Sequence, residues 1–98
     1  MNSITKVTVI VPCYNVAHIV DQCIESLLQQ DYPQDKFSII AVNDGSTDNT
    51  KELLELFKTH PNFYLFDHGK NKGLSAARNT GIENSQSEIV CFLDSDMV

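Results

Sequence analysis

Hydrophobic residues along the chain follow two kinds of pattern. Four short runs are almost continuously apolar and rich in β-branched or aromatic residues, as is typical of strands buried on both faces; they are 7–11, 37–42, 63–66 and 89–93. Apolar residues spaced three and four positions apart run from Val16 to Leu28 and predict an amphipathic helix. Pro12 cannot donate to a ladder, so the first strand is expected to end before it.

Two further helices are predicted between the later runs. Turn and capping residues crowd positions 43–50, and the leucines behind them predict a helix that begins near Asp48. A third helix is expected at about 74–84, where Gly81 costs roughly 1 kcal/mol of helix propensity relative to Ala and therefore suggests a close approach to the sheet or the next element. The alternation of strands and helices predicts an α/β fold, a three-layer α/β/α arrangement with a mostly parallel sheet.

Length and charge restrict the classes of function. The 98 residues allow one domain at most. Seven Lys plus Arg against 13 Asp plus Glu give a net charge of −6, which argues against nucleic acid as a partner. No run is long enough to span a membrane, and the first residues lack the apolar segment of a secretory signal, so a cytoplasmic location is expected.

The cysteines and histidines show no metal-ligand spacing. The three cysteines, Cys13, Cys23 and Cys91, lie in or beside apolar runs and are expected to be buried reduced thiols, with a catalytic thiol as the alternative. The three histidines are expected on the surface: His18, His60 and His68.

Polar segments follow each of the four predicted strands, at 12–15, 43–46, 68–73 and 94–96. The carboxyl ends of parallel strands share one edge of a sheet, where ligands bind, so these four loops are expected to converge. Neither a dinucleotide glycine motif nor a P-loop is present, so a phosphate site would be of another kind. The segment from Lys70 to Arg78 holds three of the seven cations and no acid, which suits a diphosphate neighbour.

These same segments, VPCYN, VNDGSTD, NKGLSAARNTG and LDSD, resemble in order and spacing the amino-terminal half of family 2 glycosyltransferases. The resemblance covers essentially the whole chain. It implies that residues 1–98 form the Rossmann-like, nucleotide-sugar-binding part of a GT-A fold. It also implies a nucleotide-diphosphate sugar as the partner, a UDP-sugar as the expected donor, Mg²⁺ or Mn²⁺ as the cofactor, and inverting sugar transfer in the full-length enzyme.

The resemblance assigns the base site to the first two loops. Pro12 and Tyr14 would line it, with Asn15 beside them, and Asp44 would contact the base. A uracil-like base offers a flat face on which Tyr14 could stack and an imide N–H that Asp44, an acceptor, could take. The alternative for Asp44 is a turn-forming role before Gly45.

The resemblance also implies a metal site at the last motif. Asp96 is the expected direct ligand, with Asp94 nearer the ribose or the loop and Ser95 among the substrate-binding residues. Such a cation takes one or two carboxylates and completes its shell with water and phosphate oxygens. Two solvated turn carboxylates are the alternative. Lys72 is the first choice to reach the nucleotide, whereas Arg78 could instead pair with a carboxylate at the edge of the core.

No catalytic residue is assigned, because the family's general base is expected downstream of Val98. The chain alone is therefore expected to be inactive and to self-associate through the exposed edge of its fourth strand. A non-catalytic nucleotide-binding or assembly module of the same fold remains the alternative, and a nucleotidyltransferase is a weaker rival because no basic glycine-rich signature follows the first strand.

Overall fold

The computed structural model describes residues 5–93 and confirms the predicted alternation of strands and helices. Its elements, in chain order, are β1 (Val7–Cys13), α1 (Val20–Leu28), a 3₁₀ turn (Gln34–Lys36), β2 (Phe37–Asn43), α2 (Thr50–Glu55), β3 (Phe63–Asp67), α3 (Leu74–Glu83) and β4 (Ile89–Phe92). None of the helices in this part of the chain is long and apolar enough to cross a bilayer.

The four strands form one sheet in the order β3-β2-β1-β4, and every neighbouring pair is parallel. The chain therefore steps outward from β1 to β2 and β3, and then returns to the other side of β1 to add β4. The order reverses between β1 and β4, and in open α/β sheets the crevice at such a point, outside the carboxyl ends of the strands, is where ligands bind. The topology thus designates one place in the molecule for a site.

Helices cover both faces of the sheet, which confirms the three-layer prediction. Alternate residues of a strand point to opposite faces. One set of strand residues packs with α1 and α2 in the larger core cluster: Val9, Val11, Ile39 and Ala41. The other set packs with Ala77 of α3 in a second cluster: Ile10, Ile40 and Val42.

Gly81 makes the close approach that its position predicts. A Cβ built there would lie 2.4 Å from Cγ2 of Ile10, a residue of the central strand that is 0% exposed. The missing side chain therefore lets α3 lie directly on β1, and this contact fixes the height of the helix above the sheet.

Pro12 lies inside β1, so the prediction that the strand ends before it is wrong. Backbone groups along β1 alternate in direction: the Ile10 carbonyl accepts from Leu93 N on the β4 side, whereas the Cys13 carbonyl accepts from Asp44 N on the β2 side. Pro12 shares the direction of Ile10, and within residues 5–93 the pairing with β4 ends at Ile10. Pro12 therefore removes no N–H from the ladder that β1 forms with β2.

Three other predictions differ from the structure. The helical periodicity begins at Val16, but α1 begins only at Val20, because residues 17–19 form a turn in which Ile19 N and Val20 N both donate to the Val16 carbonyl. β4 is an edge strand rather than a buried one: Ile89 and Phe92 are each 46% exposed. Cys91 is exposed with them, which corrects the prediction of three buried thiols, while Cys13 and Cys23 are buried as expected.

Candidate functional site at the carboxyl edge of the sheet

The loop after β1 is joined to the loop after β2 by Asn15. This residue has a φ of 52°, a left-handed conformation that Asn tolerates better than most residues. Its Oδ1 accepts hydrogen bonds from Thr47 N at 2.7 Å and from Asp48 N at 3.3 Å, and its own N–H donates to Ser46 Oγ at 3.0 Å. The side-chain carbonyl of Asn15, predicted to be substrate-binding, is therefore engaged in joining the two loops.

Asp48 fastens the start of α2 to the start of α1. Its carboxylate accepts from Thr50 N at 2.9 Å and from Ala17 N at 3.2 Å, while the buried Thr50 hydroxyl accepts from Val16 N at 2.9 Å. Burial alone would raise the pKa of the Asp48 carboxyl, but the hydrogen bonds from Thr50 and Ala17 outweigh it and lower that pKa. The D-x-T spacing at positions 48–50 is typical of a helix cap, but no local pattern predicts the contact with Ala17.

Asp44 is buried, with 4% of its surface exposed, and its carboxylate organises the loop between β3 and α3. Oδ1 lies 2.8 Å from His68 Nδ1 and accepts from Lys72 N at 2.8 Å. Oδ2 accepts from Gly73 N at 2.9 Å and from Asn71 Nδ2 at 3.2 Å. We call these five residues the Asp44 cluster.

Two of these donors are backbone amides at the start of α3. They belong to Lys72 and Gly73, immediately before the helix, and Gly73 itself contributes no side-chain cap. A carboxylate supplied from the neighbouring loop thus meets the positive end of the helix dipole. Burial alone would raise the pKa of the Asp44 carboxyl, but the hydrogen bonds from His68, Lys72 and Gly73 outweigh burial, and the pKa lies below its ordinary value. Asp44 is therefore a buried anion whose charge is fully coordinated.

Gly45 allows the second and third loops to touch through their backbones. A Cβ at this position would lie 2.2 Å from the Lys70 carbonyl carbon and 2.3 Å from Asn71 N, and its φ is +71°. Both the contact and the conformation require glycine. The convergence of the loops after β2 and β3, predicted from strand order, is thus a direct backbone contact.

His68 is the prediction that fails most clearly at this edge. Its side chain is 7% exposed and lies between Asp44 and α3, with Nε2 only 2.7 Å from Thr80 Oγ1. It is a member of the Asp44 cluster and not a surface histidine, whereas His18 and His60 are exposed as expected. Its two partners lie 24 and 12 positions away, so no local pattern could have indicated them.

A second polar group supports the ends of β2 and β3. The buried Asn43 donates from Nδ2 to Asp67 Oδ1 at 3.0 Å and accepts from Ser46 Oγ at 2.6 Å, while Lys51 Nζ lies 3.1 Å from Asp67 Oδ2. Burial alone would raise the pKa of the Asp67 carboxyl, but the contacts with Lys51, Gly69 and Asn43 lower it overall. The edge is therefore rigidly built on both sides of Asp44.

The remaining predicted residues differ in how open they are to a ligand. Tyr14 is 47% exposed just after the end of β1, two positions beyond the buried Pro12. Lys72 is exposed, and its backbone holds Asp44. The Arg78 guanidinium carbon lies 5.6 Å from the centre of the Phe92 ring, a cation–π contact, and its buried Nε has no hydrogen-bond partner among the residues that the structure describes. Within residues 5–93 the contact found for the Arg78 guanidinium is thus with an aromatic ring and not with a carboxylate.

The predicted metal ligands Asp94 and Asp96, and Ser95 between them, lie outside the described residues. From residue 5 to residue 93 no three His, Cys, Asp or Glu side chains are grouped so that they could hold a metal ion. Two carboxylates are the hard oxygen donors that Mg²⁺ and Mn²⁺ prefer, so the donor set at 94–96 fits such an ion in its chemistry.

Comparison with known proteins was made at the level of families, sequences and structures. The model of the family "Glycosyl transferase family 2" matches residues 8–98. Glycosyltransferase GlyA of Streptococcus pneumoniae is 44% identical over 91 residues, covering 93% of this chain and 13% of that protein. Glycosyltransferase AglE of Haloferax volcanii is 41% identical over 91 residues, covering 92% of this chain and 30% of its own length.

Two solved structures are similar in fold. The mannosyltransferase PcManGT from Pyrobaculum calidifontis, in complex with GDP-Man and Mn²⁺, superposes with a TM-score of 0.87 at 35% identity over 94% of this chain and 28% of that one. S. aureus TarS 1–349 in complex with UDP-GlcNAc has a TM-score of 0.86 at 34% identity over 93% of this chain and 26% of that one. This chain thus spans less than a third of the length of each of these four proteins.

Proposed function

This chain belongs to glycosyl transferase family 2, and we propose that residues 1–98 bind the nucleotide-diphosphate sugar donor for a transfer completed by a longer protein. The observation that carries the proposal is the contact between the loops after β2 and β3 around Asp44, at the carboxyl edge of the sheet, the same edge that holds the switch point between β1 and β4. The complexes of PcManGT with GDP-Man and of TarS with UDP-GlcNAc support it, since both superpose on this chain. The longer relatives are glycosyltransferases, so the activity proposed for the whole protein is sugar transfer.

The base site is proposed at the first two loops. Tyr14 has the exposed ring that a base can stack on, with Pro12 and Asn15 on either side in the chain. Asp44 accepts hydrogen bonds from four donors, which is about the number that a carboxylate can take. A uracil imide N–H would therefore contact Asp44 by replacing one of them. The Asn71 amide, at 3.2 Å the longest of the four, is the one most easily replaced.

The diphosphate is proposed to lie toward the last motif and the start of α3. Asp96, with Asp94, would hold Mg²⁺ or Mn²⁺, and Ser95 would contact the substrate beside them. The metal, when bound, offsets the charge of the leaving nucleoside diphosphate. Lys72 and Arg78 are the cations of this chain assigned to the phosphates. Lys72 is exposed in the loop, and the buried Nε of Arg78 has no hydrogen-bond partner among the described residues.

Calorimetry with UDP and Mn²⁺ tests the proposal on this chain. We expect binding by the wild type, and loss of the metal-dependent part of the affinity in Asp96→Ala, with Glu25→Ala, an exposed carboxylate on α1, as the matched control. Equal weak or absent binding in all three proteins would favour a non-catalytic module that keeps only the fold.

Three further assignments complete the proposal. Transfer is inverting, and the base that deprotonates the acceptor comes from the part of the longer relatives that this chain does not span, so this chain alone transfers no sugar from UDP-glucose or UDP-GlcNAc. The exposed residues of β4 pair with a second copy, which light scattering would show as a dimer and a monodisperse monomer would contradict. A cytoplasmic location stays a prediction.

A further inference from the structure

His68 lies just beyond β3, and its imidazole fills the space between the second loop and α3. Its side chain is 7% exposed, and that of its partner Asp44 is 5% exposed. Both ring nitrogens are engaged: Nδ1 lies 2.8 Å from Asp44 Oδ1, and Nε2 lies 2.7 Å from Thr80 Oγ1. The backbone N–H of His68 donates to the Asn43 carbonyl at 3.0 Å, so the main chain is fixed as well.

The partners of His68 determine where its proton lies. An ionised carboxylate only accepts, so Nδ1 must carry the hydrogen that faces Asp44. The hydroxyl of Thr80 can donate or accept, so it donates to Nε2 of the neutral ring. The neutral imidazole is therefore held as the Nδ1–H tautomer, and a ring flip would break both contacts.

The contact with His68 differs in kind from the other contacts of Asp44. Asn71, Lys72 and Gly73 all belong to the loop that precedes α3. Thr80 lies in the body of the helix, whose height above the sheet is set by the contact of Gly81 with Ile10. Among the described residues, His68 is thus the side chain that connects the Asp44 carboxylate to the body of α3.

We propose that His68 is a positioning residue for base recognition: it holds Asp44 Oδ1 in place from α3, so that Oδ2 is presented to the imide N–H of the base when Asn71 leaves. The inference rests on the proposed function, since it needs a base at Asp44. It gives the site a way to prefer uracil to cytosine, whose ring nitrogen at the same position carries no hydrogen and would face a fixed carboxylate oxygen.

Nitrogen NMR of the imidazole in the ligand-free chain tests the geometry. The expected spectrum shows a hydrogen on Nδ1 of His68, with the exposed His18 and His60 as internal references. An Nε2–H tautomer at His68 would overturn the proposal, because the ring would then donate no hydrogen to Asp44.

The affinities for UDP and CDP, measured with Mn²⁺ by calorimetry, test the role. We expect the wild type to prefer UDP by about tenfold or more, the scale of one hydrogen bond to a charged group. His68→Leu should reduce that preference to within about threefold. His68→Asn should restore only part of it, because an amide N–H can replace Nδ1–H toward Asp44 while the contact with Thr80 is lost. His60→Leu is the control and should change nothing.

The outcomes separate the two levels of the argument. If the wild type binds UDP and His68→Leu keeps the full preference over CDP, the role of His68 is refuted and the donor-binding function stands. If the wild type binds neither nucleotide, the proposed function fails and base positioning fails with it. If His68→Leu does not fold, as circular dichroism would show, Thr80→Val decides: it leaves the Asp44 contact intact, and an unchanged UDP to CDP ratio together with an unchanged tautomer would overturn the link to α3.

Discussion

Asp44 and Asp48 lie four residues apart in one loop, and each carboxylate accepts backbone N–H groups at the start of a helix. Their surroundings differ. Asp44 is buried, coordinates a segment 24 to 29 positions away and pairs with a buried imidazole. Asp48 is exposed and serves mainly its own helix, α2, with one contact to the turn before α1. The same residue type thus supports the fold locally in one place and builds a candidate ligand site in the other, and burial with distant partners marks the difference.

The largest loss of stability is expected at Gly45, where the loop that carries Asp44 meets the loop after β3. Gly45→Ala would place a Cβ 2.2 Å from the Lys70 carbonyl carbon, which would force the two backbones apart, and would put an L-residue at a φ of +71°. We expect a loss of roughly 4 kcal/mol in the free energy of unfolding, read from urea denaturation. Gly69→Ala is the matched control: its φ is +79° with nothing within 4 Å, so it isolates the conformational cost, roughly 1 kcal/mol. Equal losses in the two variants would show that the loop contact is not needed.

Removing the carboxylate of Asp44 should come next. Asp44→Ala leaves four donors without their acceptor, three of them in the loop before α3. The expected cost is about 3 kcal/mol, together with loss of UDP binding, since the loop is no longer held at the site. Asp31→Ala, which removes a carboxylate at an exposed position, is the control. If Asp44→Ala cost less than Asp48→Ala, the ranking of the two carboxylates would be reversed.

Asp48→Ala should cost less, about 1 kcal/mol, the usual value of a helix cap. The neighbouring Asn49 is the formal cap residue of α2, yet its side chain makes no capping hydrogen bond, so Asn49→Ala should be near neutral. Thermal unfolding of the pair, with UDP affinity unchanged in both, would confirm that this side of the loop is structural. A loss of UDP affinity in Asp48→Ala would place it in the site instead.

The smallest expected effect is on the pH dependence of the free energy of unfolding in acid. The pKa values of Asp44 and Asp48 are both lowered in the folded chain from 3.8, the ordinary value of an aspartate. A group with a depressed folded pKa contributes stability above its unfolded pKa and loses it as pH falls through the folded pKa. Unfolding free energy should therefore decrease as pH drops below about 4, and Asp44→Asn should decrease less steeply there. A slope identical to that of the wild type would show that Asp44 titrates alike in both states.

The sequence was sufficient for the order and type of the elements, because apolar runs and helical spacing are local properties. It was also sufficient for Gly81, whose cost in a helix needs a contact to explain it. It failed for properties that strand order decides. The run at β4 has the composition of a buried strand, and only its place beside β1, at one edge, leaves Cys91 exposed.

The location of the candidate site was predictable from the sequence, but its hydrogen bonds were not. Strand ends indicated which loops meet, and the family motifs indicated which residues to weigh. Nothing in the chain near His68 signals that Asp44 and Thr80 close around it, and nothing near Asn15 signals that its amide joins two loops. Such contacts follow from the placement of whole elements, so they appear only once the sheet is assembled.

The amides of Lys72 and Gly73 have a further consequence for the kinetics of the loop. Each donates to a buried carboxylate, so each should exchange its hydrogen with solvent as slowly as an amide of a helix, although both lie outside regular structure. Slow exchange of both amides would group this segment with the folded core, and a ligand arriving at the sheet edge would then meet a loop that is ordered before it arrives.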